Sequence, residues 1–368
     1  MANLPTTMRA LVAPKYCTPA EWEVADVPVP TIKGPKDVLI RIHAAGITTG
    51  DTQMTNGLSR YIMGELSMPF TIGVEGAGVV VAVGSDVTLF RPGDEVYAFA
   101  FSRPINLADV GFCAEYAVAR ESLTLRKPAG VAFEHMCVMA NLVTAYQSIE
   151  TGLRLMRANG VAGGLEDKTV FVPGALSATG SVGIQLLKNA YGAGTLIASV
   201  STAKLPLVEQ LLPGLVDRVV DYTAVKKLTD AVPAGSVDLV YNTQWTVATT
   251  FALLKPATGV VASISSAPRP ALMRQMLPPV PRFVYWLAAL AQLWYAFRLR
   301  GTRVRLEMVS GNLAVREDLE RGGEFLATGK VRPLVRVVAL EDLDRLREEA
   351  VKVATGKGGV GKLVIKIV

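Results

Sequence analysis

The small residues between positions 173 and 183 are the ones best suited to chemistry in this sequence of 368 residues. A short apolar strand at 170–172 runs into the segment PGALSATGSVG, within which a helix is predicted to begin. Free backbone N–H groups and the helix dipole meet at such a helix N-terminus, so the turn can bind a pyrophosphate. Aligned on Gly180, the usual GxGxxG pattern has Ala175 and Ser177 in place of its first two glycines. Taken alone, the turn indicates cofactor binding and simple helix–strand packing equally well.

The segment after the next predicted strand indicates which dinucleotide would bind. A site for NAD usually offers Asp or Glu about 20 residues further on, as an acceptor for the ribose hydroxyls. Residues 197–204 here read IASVSTAK and contain no carboxylate. A carboxylate about 4 Å from a 2′-phosphate would cost several kcal/mol at an effective dielectric of about 20. Its absence, together with Lys204, predicts NADPH; the alternative is that Lys204 is an ordinary exposed residue in the next helix.

Strand and helix patterns alternate around this turn, beginning near residue 132. Strands are predicted at 168–172, 195–200, 216–221, 237–242 and 259–264, with helices at 181–191 and 205–212. Because strands that alternate with helices are joined by right-handed crossovers, the pattern predicts a parallel, doubly wound sheet. The place of the turn at the first strand of that sheet favours cofactor binding over packing.

The sequence on either side of this unit is rich in strands. Residues 37–44 alternate apolar and polar side chains, which puts His43 on the polar face as a structural or surface residue. A glycine-rich β block covers 73–98, and a helix at 340–355 precedes a strand at 362–368. Because this last strand follows the α/β unit, we expect the end of the chain to join the β-rich first domain.

Composition limits the class of protein. At this length two domains are expected, and 50% hydrophobic with 19% charged residues is typical of a well-buried α/β enzyme. The net charge of +6 is dispersed, which disfavours a nucleic-acid binder. Three widely spaced cysteines and two histidines indicate neither a disulfide framework nor a cysteine zinc site. We expect no secretory signal and a cytoplasmic location.

An apolar segment, FVYWLAALAQLWYAF, occupies residues 283–297 within a predicted insertion at about 278–300. As a helix it would reach about 22 Å, short of the roughly 30 Å hydrocarbon core of a bilayer. We favour its burial in a dimer interface or a substrate lid. Peripheral contact with an anionic membrane is the alternative, because tryptophans lie within the segment and arginines flank it.

Four sequence blocks, in their order, resemble the medium-chain dehydrogenase/reductase superfamily over nearly the whole chain. They are GVEGAGVVVAVGSDVTLFRPGDEVYA at 73–98, VTAYQSI at 143–149, PGALSATGSVGIQLLK at 173–188 and GKLVI at 361–365. The resemblance implies an α/β fold with a GroES-like β-rich catalytic domain and a Rossmann-type doubly wound parallel sheet. The catalytic domain would comprise 1–134 and 306–368, and the NADPH-binding Rossmann domain 135–305.

The resemblance also implies a chain without catalytic zinc. Zinc-dependent alcohol dehydrogenases of the superfamily hold the metal with Cys, His and a third Cys or acidic residue, and the matching positions here are Thr48, Val74 and Ala140. Tetrahedral zinc needs at least three protein ligands. The chain is similar instead to the quinone oxidoreductase and enoyl reductase branch, which implies NADPH-dependent hydride transfer to an α,β-unsaturated carbonyl or a quinone. The alternatives are a zinc-free carbonyl reductase and a nucleotide-binding, membrane-associated protein with little turnover.

Relatives in that branch imply how the cofactor would be held. Ser201, Lys204 and Tyr222 would bind the adenosine phosphate, and Thr48 and Thr144 would contact the nicotinamide. The full expected cofactor set is Thr144, Ser177, Ala178, Thr179, Gly180, Ser181, Val182, Ser201, Lys204, Tyr222, Asn242 and Ile264.

The catalytic candidates are Gln53 and Tyr61, beside Thr48. Many quinone reductases carry a tyrosine where this chain has Gln53, which can orient a carbonyl but cannot serve as a general acid. Tyr61 is the candidate acid, or else packs at the lip of the cleft. The expected partner is an apolar, conjugated small molecule, and the chain is expected to be a homodimer or a monomer.

Overall fold

A computed structural model describes residues 4–60, 64–100, 111–277 and 279–368, without the side chain of Met276. The strands within these residues are β1 (Thr7–Ala13), β2 (Glu23–Pro28), β3 (Asp37–Ile47), β4 (Phe70–Thr71), β5 (Glu75–Val83), β6 (Glu95–Phe99), β7 (Tyr116–Arg120), β8 (Thr124–Arg126), β9 (Thr169–Pro173), β10 (Thr195–Val200), β11 (Arg218–Asp221), β12 (Leu239–Asn242), β13 (Val260–Ser263), β14 (Arg305–Met308), β15 (Val335–Ala339) and β16 (Lys362–Lys366). The helices are α1 (Thr49–Thr55), α2 (Phe133–Met136), α3 (Met139–Ala158), α4 (Ala178–Asn189), α5 (Leu205–Leu211), α6 (Pro270–Met276), α7 (Arg282–Arg298), α8 (Arg316–Ala327) and α9 (Leu343–Thr355). None of these helices is long and apolar enough to cross a membrane.

The predicted parallel sheet is confirmed. It has six strands in the order β11-β10-β9-β12-β13-β14, and every pairing within it is parallel. From β9 the chain adds β10 and β11 on one side, and then returns to add β12, β13 and β14 on the other side. The order of the strands therefore reverses between β9 and β12. In open α/β sheets, ligands bind at the carboxyl ends of the strands beside such a reversal.

The strand-rich ends of the chain form a second, mainly antiparallel sheet. Its order is β15-β16-β3-β5-β6-β8. Strands β16 and β7 share one edge of β3: β16 pairs with its C-terminal part and β7 with its N-terminal part. Strand β16 is antiparallel to β3, with Leu363 opposite Ile47, so the end of the chain does return to the β-rich first part. A small sheet, β2-β1-β4, lies apart from it in the hydrogen-bonding pattern. On β3, the ring of His43 stacks on Phe133 at 4.4 Å between centroids, a packing role.

Most predicted elements are present with their ends displaced by a few residues. The helical region predicted from residue 132 is broken into α2 and α3, and the terminal helix begins at Leu343 rather than 340. Strand β14 belongs to the parallel sheet and runs from Arg305 to Met308, so this sheet continues past the predicted domain boundary at 305/306. The domain bounds themselves stay predictions.

A buried ion pair joins β16 to the rest of the chain. Nζ of Lys362 lies 2.6 Å from Oε1 of Glu75 on β5, and both side chains are 2% exposed. The other carboxylate oxygen of Glu75 accepts a hydrogen bond of 3.1 Å from the N–H of Ala140 at the start of α3. Burial raises the pKa of Glu75, and the charge of Lys362 opposes that rise. The pair therefore ties three elements together at one buried point.

We predict that Glu75→Gln lowers the free energy of unfolding by about 3–5 kcal/mol, because it leaves the ammonium of Lys362 buried without a counter-charge. Equilibrium unfolding in urea measures the change. Glu324→Gln is the control, since it breaks an ion pair with Arg321 in which both side chains are more than half exposed, worth about 0–1 kcal/mol. Adding Lys362→Met to Glu75→Gln should recover part of the loss. Similar small losses for Glu75→Gln and the control would contradict the prediction.

Candidate active site

The turn between β9 and α4 presents bare backbone at a helix N-terminus. Gly174 has a φ of 73°, in the left-handed region, and a Cβ built there would lie 2.4 Å from the side-chain nitrogen of Gln244. Ser177 is the N-cap of α4, and its hydroxyl accepts a 3.0 Å hydrogen bond from the N–H of Gly180. A Cβ at Gly180 would lie 2.3 Å from the carbonyl oxygen of Gly174. The two glycines therefore allow tight packing of the turn against the helix N-terminus, whose free N–H groups are suited to binding a phosphate.

Helix α4 lies close to the sheet because Gly183 has no side chain. A Cβ there would lie 2.3 Å from Cε1 of Tyr241, which is fully buried on β12. Gly174 makes the turn with its positive φ, whereas the two positions aligned with the first glycines of the pattern hold the buried Ala175 and the N-cap residue Ser177. Residues 174, 180 and 183 are where the geometry requires glycine.

A cavity of about 640 Å³ opens at the carboxyl ends of β9 and β10. Gly174 and Ser177 line it on the side of the turn. Ser201, Lys204 and Tyr222, the three residues predicted for an adenosine phosphate, line it as well. The structure thus brings this predicted set together beside the turn.

Four cationic residues contribute to the wall of the cavity. Besides Lys204 they are Lys226, Lys227 and Arg298, and no Asp or Glu is among the described residues that line it. Sequence reasoning missed these three. The two lysines follow Tyr222 closely and could have been found, whereas Arg298 comes from the far end of α7, where only the folded chain places it.

Lys204 is held in a fixed position at the end of a 3-10 turn, Thr202–Lys204. Its Nζ donates a 2.5 Å hydrogen bond to the carbonyl of Gly359 in the loop before β16. Burial, and to a lesser degree the charge of Arg336, lowers the pKa of Lys204. The ammonium is thus positioned by both sheets before any ligand binds.

Three of the residues predicted at the start of α4 have side chains that are buried or hydrogen-bonded within the protein. Ser181 and Val182 are buried, and the hydroxyl of Ser181 donates to the carbonyl of Ala178 at 3.3 Å. The hydroxyl of Thr179 accepts a 2.8 Å hydrogen bond from Nδ2 of Asn141. At this helix end, backbone rather than side chains would face a ligand.

Asn242 and Ile264 lie at the carboxyl ends of β12 and β13. Nδ2 of Asn242 donates to Oγ of Ser263 at 2.8 Å, and the N–H of Ile264 donates to the carbonyl of Asn242 at 2.9 Å. Oδ1 of Asn242 is buried and has no hydrogen-bond partner within the described part of the chain. This unsatisfied acceptor fits an edge of the sheet at which a ligand would supply a donor.

The residues predicted at the nicotinamide and substrate end do not line the cavity. Thr144 lies on α3, and its hydroxyl donates to the carbonyl of Ala140 at 2.7 Å. Gln53 is exposed on α1. Tyr61 lies outside the described residues. The structure therefore places the residues predicted for the adenosine end of the site along one cavity, whereas Thr144 and Gln53, predicted for the nicotinamide and the substrate, do not line it.

The three positions that match zinc ligands lie next to a polar cluster that contains the buried carboxylates Asp51 and Glu75. The hydroxyl of Thr48 donates to Oδ2 of Asp51 at 2.6 Å, and Val74 precedes the buried Glu75, which accepts from the N–H of Ala140. Burial raises the pKa of Asp51, and hydrogen bonds from Thr48 oppose that rise. Over the ranges that the structure describes, no three His, Cys, Asp or Glu residues are grouped so as to hold a metal ion.

The hydrogen bonds of Lys362 also extend this cluster to the turn between β9 and α4. Nζ of Lys362 donates to Oδ1 of Asn141 at 3.1 Å, and Asn141 donates to Thr179 in the first turn of α4. Sequence reasoning missed Asp51, Glu75, Asn141 and Lys362. No local pattern pairs residues 75 and 362, so only the fold could identify this connection.

Comparison with known proteins agrees with this architecture. Residues 34–147 match the alcohol dehydrogenase GroES-like domain, and residues 216–365 match the zinc-binding dehydrogenase family. The chain is 28% identical over 343 residues to 2-methylene-furan-3-one reductase of Solanum lycopersicum, which covers 93% of this chain and 74% of that protein. It is 33% identical over 224 residues to the chloroplastic NADPH-dependent alkenal/one oxidoreductase of Arabidopsis thaliana, covering 60% of this chain and 54% of that one.

A solved structure extends the likeness to the entire fold. The quinone oxidoreductase from Coxiella burnetii superposes with a TM-score of 0.74, covering 98% of this chain and 100% of that one at 20% identity. The arrangement of parallel and antiparallel sheets is thus shared with that enzyme.

Proposed function

The chain belongs to the medium-chain dehydrogenase/reductase superfamily of nicotinamide-dependent oxidoreductases, and on that premise we propose that it is an NADPH-dependent reductase of conjugated acceptors. The acceptor is the double bond of an α,β-unsaturated carbonyl compound or a quinone, and no zinc takes part. The single observation that carries the proposal is the cavity that Ser201, Lys204 and Tyr222 line together with Gly174 of the turn.

The charge of that cavity supports NADPH over NADH. A 2′-phosphate would lie among hydroxyls and ammonium groups, with no carboxylate on the described wall to repel it. Hydrogen bonds between charged partners contribute about 1.5–3 kcal/mol each. Lys204 is the best-placed donor, because its contact with Gly359 fixes it at the cavity wall.

The rest of the proposed site follows from the residues around the turn. The backbone at the start of α4 would bind the pyrophosphate, and the hydroxyls of Thr48 and Thr144 would orient the nicotinamide. When bound, the reduced cofactor supplies the hydride. The amide of Gln53 would donate a hydrogen bond to the carbonyl oxygen of the acceptor, and Tyr61 or water would protonate the enolate that results.

Zinc-free chemistry is supported by the donor set. Val74 and Ala140 have no side-chain ligand atom, and the hydroxyl of Thr48 is hydrogen-bonded to Asp51. Without a Lewis acid, oxidation of an unactivated alcohol is a poor candidate reaction. A conjugated acceptor is already polarised, so orientation and hydrogen bonding suffice. The names of the tomato and Arabidopsis relatives point to the same class of acceptor.

The assay that tests this function follows NADPH oxidation with a panel of enones, enals and quinones, and identifies products by mass spectrometry. We predict saturated carbonyl products or hydroquinones, at a rate unchanged by a strong chelator. An allylic alcohol as product would instead indicate a carbonyl reductase. If no acceptor accelerates NADPH oxidation, a nucleotide-binding protein with little turnover is correct, and loss of activity with chelator would refute zinc independence.

Lys204→Ala tests cofactor choice. We predict that it weakens NADPH binding at least tenfold, about 1.4 kcal/mol, while leaving NADH binding nearly unchanged, because only NADPH carries the 2′-phosphate. Titration of cofactor fluorescence measures both affinities. Lys357→Ala, at an exposed lysine that does not line the cavity, is the matched control. Equal affinity of the wild type for both cofactors would refute the assignment, as would an equal loss for both in the variant.

Gln53→Ala tests the orienting role. Loss of one oriented hydrogen bond to a developing enolate lowers turnover about 10²- to 10³-fold, and the pH profile should not move because no acid is removed. Gln210→Ala, at an exposed glutamine on α5, is the control. Tyr61→Phe should alter the alkaline limb of the profile if Tyr61 is the acid. Wild-type turnover in Gln53→Ala would remove this residue from the site.

A further inference from the structure

Helix α7 is docked on the chain by one side only. Nε2 of Gln292 donates to the carbonyl of Ala267 at 2.6 Å, and the hydroxyl of Tyr295 accepts from the N–H of the same residue at 3.3 Å. The ring of Tyr295 also meets Phe251 edge-on at 6.0 Å, and Ala288 is buried. These contacts fix which side of the helix faces outward.

The outward side is apolar, the reverse of an ordinary surface helix. Its large side chains are between 47% and 72% exposed and form a stripe that we call the outer stripe: Phe283, Trp286, Leu287, Leu290, Leu293, Trp294 and Phe297. Separations of three and four residues between members of the set keep them on one face over roughly 21 Å. Soluble monomers rarely expose so large a contiguous apolar patch, so the stripe needs a partner. The sequence predicted burial of this segment in a dimer interface or a substrate lid; no described residue of this chain covers the outer stripe.

Arginines lie at both ends of the outer stripe. Arg282 precedes it, and the exposed Arg298, Arg300 and Arg303 follow it. The guanidinium of Arg298 lies 5.4 Å from the ring centre of Trp294, and that of Arg300 lies 4.4 Å from Phe297. The sequence contains no Asp or Glu between positions 238 and 307. The partner must therefore accept an apolar surface and several cations together.

A second copy of the chain fits this surface poorly. Two outer stripes related by a twofold axis could run antiparallel, which brings Arg282 of one copy towards the arginines that follow the stripe of the other, or parallel, which brings the same arginines of the two copies together. No local carboxylate would compensate for that repulsion. An anionic bilayer fits better, because its acyl boundary accepts apolar and tryptophan side chains while its phosphates pair with arginine.

We propose that the outer stripe of α7 docks the protein on the surface of an anionic phospholipid bilayer. The helix has 17 residues, about 25 Å, and so lies in the plane of the interface rather than crossing it. Docking through the outer stripe does not depend on the reaction proposed above. The anions that the arginines contact are lipid headgroups of a bilayer, not soluble anions.

Sedimentation of the full chain with vesicles tests the proposal. The chain should pellet with vesicles containing phosphatidylcholine and phosphatidylglycerol, and stay in the supernatant with phosphatidylcholine alone. Added salt should release it, because screening weakens the attraction between arginine and phosphate. Equal binding to both kinds of vesicle, or binding to neither, would overturn the proposal.

Paired variants separate the apolar and charged contributions. Leu287→Gln with Leu290→Gln should abolish vesicle binding without lowering the melting temperature, since both side chains are exposed, and Leu89→Gln is the control at an exposed leucine elsewhere. Arg300→Gln with Arg303→Gln should lower the partition coefficient about thirtyfold, and the control pair Arg157→Gln with Arg218→Gln should not change it.

Analytical ultracentrifugation of the wild type and the leucine double variant tests the alternative that the outer stripe is a dimer interface. A wild-type dimer that the leucine pair dissociates would make the stripe a subunit interface and refute membrane docking.

Discussion

The contact between the ammonium of Lys362 and the carboxylate of Glu75 constrains how the antiparallel sheet and helix α3 are placed. Two charges withdrawn from water cost several kcal/mol each, and only a short contact with complete hydrogen bonding offsets this. Here the two atoms are 2.6 Å apart, the second oxygen of Glu75 accepts from Ala140, and the ammonium also donates to Asn141. Strands β5 and β16 and helix α3 therefore cannot shift separately without leaving a buried charge unpaired.

That requirement extends to the edge of the parallel sheet. Asn141, held by Lys362, donates to Thr179 in the first turn of α4, while Gly183 one turn later rests against the ring of Tyr241. Helix α4 is thus positioned from two directions, and its N-terminus stays open above the cavity. A rigid turn suits a phosphate, because backbone donors that are already oriented lose little entropy when they bind.

The fold could be predicted where its signals are local. Periodicity and turn residues indicated the parallel sheet, and the residue types after its second strand indicated Lys204. The resemblance to a known family implied Ser201 and Tyr222, and the fold brings all three residues to one cavity. Contacts between distant positions could not be read in this way, because nothing in either segment specifies the other; Glu75 with Lys362 is one example. For α7, the apolar sequence indicates that the helix contacts another apolar surface, but not whether that surface belongs to the same chain. Only the structure shows that the outer stripe is exposed.

The place of β16 within the antiparallel sheet also sets the order in which the protein can form during translation. Strands β3 and β5 are synthesised early, yet the part of β3 that pairs with β16 lacks its partner until residues 362–366 have been made. Until then Glu75 has no ammonium to pair with, and an unpaired strand edge of this kind is prone to association with other chains. The parallel sheet uses only residues 169–308 and has all its strands sooner. All strands of the parallel sheet are therefore synthesised before the antiparallel sheet receives its last strand, β16.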